Sequence, residues 1–217
     1  MADIILFDLD GTLTDPKEGI TRSVRYGIES LGYPAPELDA LTPFIGPPLL
    51  DMFMEFCGFT EEEAKKAVAK YRERFRKTGI FENEIYEGME QMLGTLRNAG
   101  KRLGVATSKP WEFAETILSH FRIRDYFESV TGSEMDGTRV RKGEVIEEAL
   151  RRFGVRESDR PSVLMVGDRK HDVIGARENG IACVGVTYGY GGREELEKAG
   201  ADEIVDTIEE LTQTLLR

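Results

Sequence analysis

Short apolar runs alternate with longer amphipathic stretches along most of the chain. The short runs predict strands at residues 4–7, 102–106, 129–131, 163–166, 182–186 and 203–205. Between and after them, helical spacing of apolar positions predicts helices at about 87–99, 111–121, 143–153, 171–179, 192–199 and 207–216. Strand and helix in alternation imply an α/β fold, a parallel sheet with helices on both faces. In such a sheet a ligand sits beyond the carboxyl ends of the strands.

One segment departs from this rhythm. After Asp15 the pattern is helical with no strand, with Ile20, Val24, Ile28 and Leu31 on one stripe and Ala64, Ala67, Val68, Tyr71 and Phe75 on another. The expected organisation is a core domain of residues 1–15 and 83–217 interrupted by a helical domain at 16–82. Within the insertion, "TPFIGPPLL" (42–50) reads as turn-rich, and "KTGIFENEIYEG" (77–88) reads as the return linker.

Composition narrows the function classes. The chain has 217 residues and a formal net charge of -11, which argues against a general nucleic-acid surface or an anionic-membrane surface. Its two cysteines, Cys57 and Cys183, match neither a metal-ligand spacing nor a disulfide framework, so buried free thiols in a reducing compartment are expected. No apolar run reaches the ~20 residues of a membrane span, and no leader pattern precedes the first strand, so a cytoplasmic location is expected.

Polar residues recur where the predicted strands stop. Asp8 and Asp10 follow the first strand, Thr107 and Ser108 the second, and Asp168 and Asp172 the fourth, while Lys142 opens a helix. In an extended segment, side chains at i and i+2 point the same way, so Asp8 and Asp10 reach into one space. Carboxylates gathered there repel and raise one another's pKa unless a cation lies among them. An all-oxygen donor set without histidine or thiol suits a hard ion, and Mg²⁺ is the usual choice beside phosphate. A carboxylate is also a competent nucleophile, and a second can carry the proton. Phosphoryl transfer needs uncharged or cationic donors for the equatorial oxygens; Lys142, the hydroxyl of Thr107 or Ser108, and amides near Gly11 supply them. Taken singly, "DLDG" reads equally as a turn and Lys142 as a solvated lysine. Their joint order along the chain is the signal.

"FDLDGTLTD", Thr107, Lys142 and "VGDRKHDVIGA" together resemble the four motifs of the haloacid dehalogenase superfamily in its phosphatase branch. The resemblance implies a Rossmann-like core with an inserted helical cap. It implies Asp8 as the nucleophile that becomes phosphorylated, Asp10 as general acid and then base, and Thr107 and Lys142 as phosphate ligands. It further implies Mg²⁺ held by Asp8, the backbone carbonyl of Asp10, and Asp168, with Asp172 supporting these from behind. The "IGPPL" loop at 45–49 is similar to that of phosphoglycolate phosphatase-like members. The expected partner is a small phosphorylated metabolite, with no nucleic acid and no membrane, and the expected assembly is a monomer or homodimer. Two other readings stand beside hydrolysis: a sugar phosphomutase using the same intermediate, and a non-enzymatic phospho-acceptor.

Arg169 and Ser108 depart from the commoner residues at their positions, and Arg169 is expected at the surface. His171 reads as a partly exposed helix-start residue and His120 as a structural helix end. "VTYGYGG" (186–192) lacks the third glycine of a dinucleotide loop and reads as a turn.

Overall fold

The structure, a computed structural model, describes residues 2–217. In chain order its elements are β1 (Ile4–Phe7), β2 (Thr14–Asp15), α1 (Lys17–Glu29), α2 (Leu49–Cys57), α3 (Glu61–Lys77), β3 (Glu84–Ile85), α4 (Met89–Asn98), β4 (Arg102–Pro110) and α5 (Trp111–His120). They continue as β5 (Ser129–Ser133), α6 (Lys142–Arg152), β6 (Val163–Gly167), α7 (Lys170–Glu178), β7 (Ala182–Val186), α8 (Gly192–Ala199), β8 (Glu203–Val205) and α9 (Ile208–Leu216). The chain forms two compact units, one of Pro16–Glu84 and one of the residues up to Asp15 with Ile85–Arg217.

The larger unit is built on a six-stranded sheet of order β5-β4-β1-β6-β7-β8. Every pairing in it is parallel. All four residues of β1 are buried, as a central strand covered on both faces requires. The chain first adds strands on one side of β1 and then on the other, so the sheet's switch point lies at β1, the place where such sheets bind ligands beyond the carboxyl ends of their strands. On one face Leu6, Met165 and Cys183 pack with Val145, Ile146 and Ala149 of α6, Val173 and Ala176 of α7, and Leu196 of α8. Cys183 is a buried free thiol and Cys57 is half-buried.

The predicted strands and helices are all present; helix bounds shift by one or two residues, and three strands run on past their expected carboxyl ends. β4 runs to Pro110 rather than stopping at Ala106, with a shift of register against β5 between those residues. The shift keeps Thr107, Ser108 and Lys109 in extended backbone, with Thr107 and Lys109 buried and Ser108 half-exposed between them. β5 and β6 likewise extend to Ser133 and Gly167.

The smaller unit is helical. α1 buries Ile20, Val24 and Ile28, and α3 buries Ala64, Ala67, Tyr71 and Phe75; Leu31 and Val68, expected on the same stripes, are half-buried. Thr60 and Glu63 form a reciprocal capping box that fixes the start of α3. The stretch expected to be only turn-rich, 42–50, overlaps the end of a 3₁₀ helix, Leu38–Phe44, and the start of α2, and contributes core. Leu41, Phe44 and Ile45 are buried, and the Phe44 ring meets Phe53 at 5.0 Å. Apolar side chains among turn formers are drawn into the helical core, because a unit this small needs every buried ring it has. Arg74 makes a two-pronged ion pair to Glu82, at 2.7 and 3.0 Å, and also donates to Ser23 at 3.1 Å. No helix among the described residues is long and apolar enough to cross a membrane.

Close backbone approach in the smaller unit leads to a test. A Cβ on Gly19 would sit 2.0 Å from the Gly79 carbonyl oxygen, whereas one on Gly137 would meet nothing within 4 Å. Gly19→Ala is therefore expected to lower unfolding stability by about 1–3 kcal/mol through overpacking. Urea unfolding followed by circular dichroism checks this, and a midpoint equal to that of the wild type refutes it.

Candidate active site

The site begins where β1 ends. The Asp8 amide continues the ladder to Val166 O at 2.9 Å, and the Asp8 carboxylate accepts the Leu9 amide at 2.7 Å. The chain then turns tightly, with the amides of Leu13 and Thr14 both reaching Leu9 O, at 2.9 and 3.1 Å. Gly11 makes this possible at φ +82°, and a Cβ there would lie 2.2 Å from Asp168 Oδ2. The glycine is required by conformation and by the closeness of the carboxylate.

Asp168, directly after β6, is fully buried. Its Oδ1 accepts from the Thr12 hydroxyl at 3.3 Å and its Oδ2 from the Tyr190 amide at 2.7 Å. Asp172 lies in the first turn of α7, also fully buried, with Oδ2 accepting the Arg169 amide at 3.0 Å. Lys142, the first residue of α6, extends its ammonium into the same space. Its Nζ lies 2.9 Å from Asp8 Oδ1 and 2.8 Å from Asp172 Oδ1, and it donates to Ala106 O at 3.1 Å. Ammonium has three hydrogens, and this one meets three acceptors.

Asp8, Asp168 and Asp172 each present a carboxylate oxygen within 4.8 Å of the others. Three carboxylates against one ammonium leave an excess of negative charge in a buried space. Burial, then the neighbouring Asp172 and Asp8, push Asp168 well above the usual carboxylate range. Burial alone would lower the Lys142 pKa, but Asp172 and Asp8 outweigh it and the ammonium is held above its ordinary value. The all-oxygen donors fit a hard divalent cation, which would relieve the remaining repulsion. Asp172 has one oxygen on Lys142 and the other on the Arg169 amide.

The Asp10 side chain is not part of this cluster. It pairs with Lys109 Nζ at 2.8 Å, both side chains being less than 10% exposed. Its other oxygen, Oδ1, is buried with no hydrogen-bond partner. Burial raises the Asp10 pKa, an effect that Lys109 partly offsets. The two aspartates of "DLD" therefore occupy different electrostatic settings, one beside Lys142 and one beside Lys109.

Thr107 is buried, and its hydroxyl oxygen accepts the Lys109 amide at 3.2 Å. It follows Ala106, whose carbonyl receives Lys142, so the end of β4 lies against the cluster; Ser108 comes next, half-buried. Arg169 is not the surface residue expected. Its side chain is only 12% exposed and its Nε donates to Glu195 at 2.9 Å, because α8 packs against the start of α7. His171 is half-buried at the start of α7, its pKa lowered by burial and by nearby cations, and His120 closes α5 in an exposed position.

Two features escaped the sequence reading. Lys109 carried a signal, because the i, i+2 rule that joins Asp8 to Asp10 also joins Thr107 to Lys109. The loop after β7 carried a weaker one, its paired glycines. Rather than a bare turn, it brings Tyr190 onto Asp168 and the Tyr188 hydroxyl onto Thr12 O at 3.1 Å.

With this geometry in place, the comparisons with known proteins agree. Residues 5–186 match the family model described as haloacid dehalogenase-like hydrolase. The chain belongs to that family, and to its phosphatase branch. It is 51% identical over 192 residues to a 5'-nucleotidase from Pseudomonas aeruginosa, a match covering 88% of this chain and 86% of that protein. It is 39% identical over 217 residues to the tyrosine-protein kinase PtkA of Mycobacterium tuberculosis, covering 98% of this chain and 72% of that one. A crystal structure of a predicted phosphatase from Clostridium acetobutylicum superposes with a TM-score of 0.95 at 44% identity, covering 100% of this chain and 99% of that one. Relatives named phosphoglycolate phosphatase are matched as well.

The buried pair gives a prediction on stability. Lys109→Met leaves the Asp10 carboxylate desolvated and uncompensated, and at neutral pH about 3 kcal/mol of unfolding free energy is expected to be lost. Adding Asp10→Asn to that variant should recover a large part of the loss. Denaturant unfolding of the two single variants and the double variant measures the coupling, and simply additive effects would show that the two groups do not sense each other.

Proposed function

We propose that this protein is a Mg²⁺-dependent phosphatase that hydrolyses a small soluble phosphomonoester through an aspartyl-phosphate on Asp8. The observation that carries this reading is the contrast in setting between two aspartates two residues apart. Asp8 lies among Lys142, Asp168 and Asp172, and Asp10 is held off by Lys109 with one buried oxygen unengaged.

Asp8 attacks phosphorus and displaces the alcohol oxygen, forming the acyl phosphate. Asp10 gives the leaving oxygen its proton, for which the raised pKa of a buried carboxyl is suited. Carrying no proton after that step, Asp10 takes one from the water that attacks the acyl phosphate and returns Asp8 and inorganic phosphate. Lys142 holds Asp8 in place, and together with the Thr107 hydroxyl it is available to the phosphoryl oxygens. Asp8, the Asp10 carbonyl and Asp168 would hold Mg²⁺, which when bound offsets the repulsion between the carboxylate and the anionic phosphoryl group.

Nucleoside 5'-monophosphates are the first substrates to test, on the strength of the 51% identical nucleotidase, with phosphoglycolate second because of the resemblance of the 45–49 loop. A phosphomutase would return the phosphoryl group to a sugar, so phosphate release separates the two readings.

Two outcomes follow. Hydrolysis of p-nitrophenyl phosphate should cease on exhaustive chelation and return with Mg²⁺; undiminished turnover by metal-free protein overturns the assignment. Asp10→Asn keeps the shape of the side chain but cannot carry the proton, so kcat should fall about 10²- to 10⁴-fold. Because the acyl-phosphate step needs the base even with an activated leaving group, p-nitrophenyl phosphate should not restore full activity. Intact mass spectrometry of that variant should then show phosphorylated Asp8, and near-normal steady-state kcat would sink the mechanism.

A further inference from the structure

We propose that the β7–α8 loop, 187–191, with Glu195 behind it, is a clamp whose role is to aim Asp168 at the metal. The inference rests on the reading of Asp168 as a metal ligand and names residues outside the four motifs as its positioning groups.

Three observations converge on this one carboxylate, and three more hold the chain around it. The Tyr190 amide donates to Asp168 Oδ2 at 2.7 Å. The Tyr188 hydroxyl donates to Thr12 O at 3.1 Å, and the Thr12 hydroxyl donates to Asp168 Oδ1 at 3.3 Å, so the other oxygen is held through a relay that starts in the same loop. Gly189 is pressed onto the ligand itself: a Cβ there would lie 2.4 Å from Asp168 Cβ, Asp168 Oδ2 and Gly11 O. A Cβ on Gly191 would lie 2.2 Å from the Asp168 carbonyl oxygen. The chain leaving Asp168 is held as well, because Glu195 accepts both the Lys170 amide at 2.8 Å and Arg169 Nε at 2.9 Å. The Tyr190 hydroxyl anchors the loop to Asp15 at the far side of the Gly11 turn.

The physical consequence is rigidity without competing charge. Asp168 is fully buried, so water cannot orient it, and a second cation on its oxygens would displace the metal. One backbone amide and one hydroxyl fix the carboxylate plane while leaving its charge available to an ion, which is how groups behind a ligand tune a metal site. Glycine at 189 lets the loop backbone reach Asp168 Cβ and Oδ2 and Gly11 O, all of which a Cβ would meet at 2.4 Å.

The test reads metal binding directly, on the full chain without substrate. Mn²⁺ serves as the spectroscopic probe in place of Mg²⁺, followed by electron paramagnetic resonance, with thermal melting as the fold control. Gly189→Ala is expected to weaken Mn²⁺ binding by about 10-fold or more, and Tyr188→Phe, which removes only the relay hydroxyl, by a few-fold. Tyr188→Phe should melt close to the wild type, whereas Gly189→Ala, whose added Cβ meets Gly11 O at 2.4 Å, should melt lower while still folding. Should Gly189→Ala fail to fold, Tyr188→Phe decides the matter alone. Unchanged Mn²⁺ affinity in the folded variants overturns the clamp while leaving the phosphatase reading intact, provided Asp168→Asn does abolish binding. If Asp168→Asn binds Mn²⁺ as well as the wild type, or the wild type binds none, the metal role of Asp168 falls and the clamp falls with it.

Discussion

Everything around the site depends on a single electrostatic constraint: the Lys142 ammonium buried between Asp8 and Asp172, at 2.9 and 2.8 Å. Removing these charges from water is costly, and only near-complete hydrogen bonding makes the arrangement tolerable. The fold meets that requirement from several directions. The Ala106 carbonyl takes the third ammonium hydrogen, the Leu9 amide serves Asp8, and the Arg169 amide serves Asp172. Parallel strands ending together beside helix starts supply these backbone groups, so the sheet's switch point is also where buried charge can be accommodated. Asp168 remains the residue whose charge is least compensated by protein, which makes it the natural place for a cation.

The same constraint separates Asp8 from Asp10. Their side chains leave the chain two residues apart, yet each meets a different lysine, and the sharp turn at Gly11 follows at once. Asp8 faces the Lys142 ammonium at 2.9 Å. Asp10 is buried against Lys109 with one oxygen unengaged, and burial raises its pKa, so holding a proton is less costly there than on an exposed carboxylate. The proposed nucleophile and the proposed proton carrier thus sit beside different lysines. Relatives bearing the names of a nucleotidase and of a tyrosine kinase share this frame, in keeping with the rule that a fold carries sites rather than a single activity.

The sequence by itself determined the class of fold and most of the buried charged groups that the structure brings together. Six apolar runs became six parallel strands, because a central parallel strand must be apolar on both faces and so stands out as an uninterrupted run. Asp8, Thr107, Lys142, Asp168 and Asp172 were legible because polar groups that end buried strands have few other places to go. The order of those groups also carried the resemblance to the family. What only the tertiary structure decided is which charge meets which. That Lys109 rather than Lys142 takes Asp10, that Arg169 is tucked against Glu195 instead of facing solvent, and that a loop resembling a plain turn holds Asp168 all depend on contacts between segments far apart in the chain. Periodicity reports which face of an element is buried, because burial repeats with the local backbone. It is silent on partners, because pairing is set by where helices and strand ends arrive after packing.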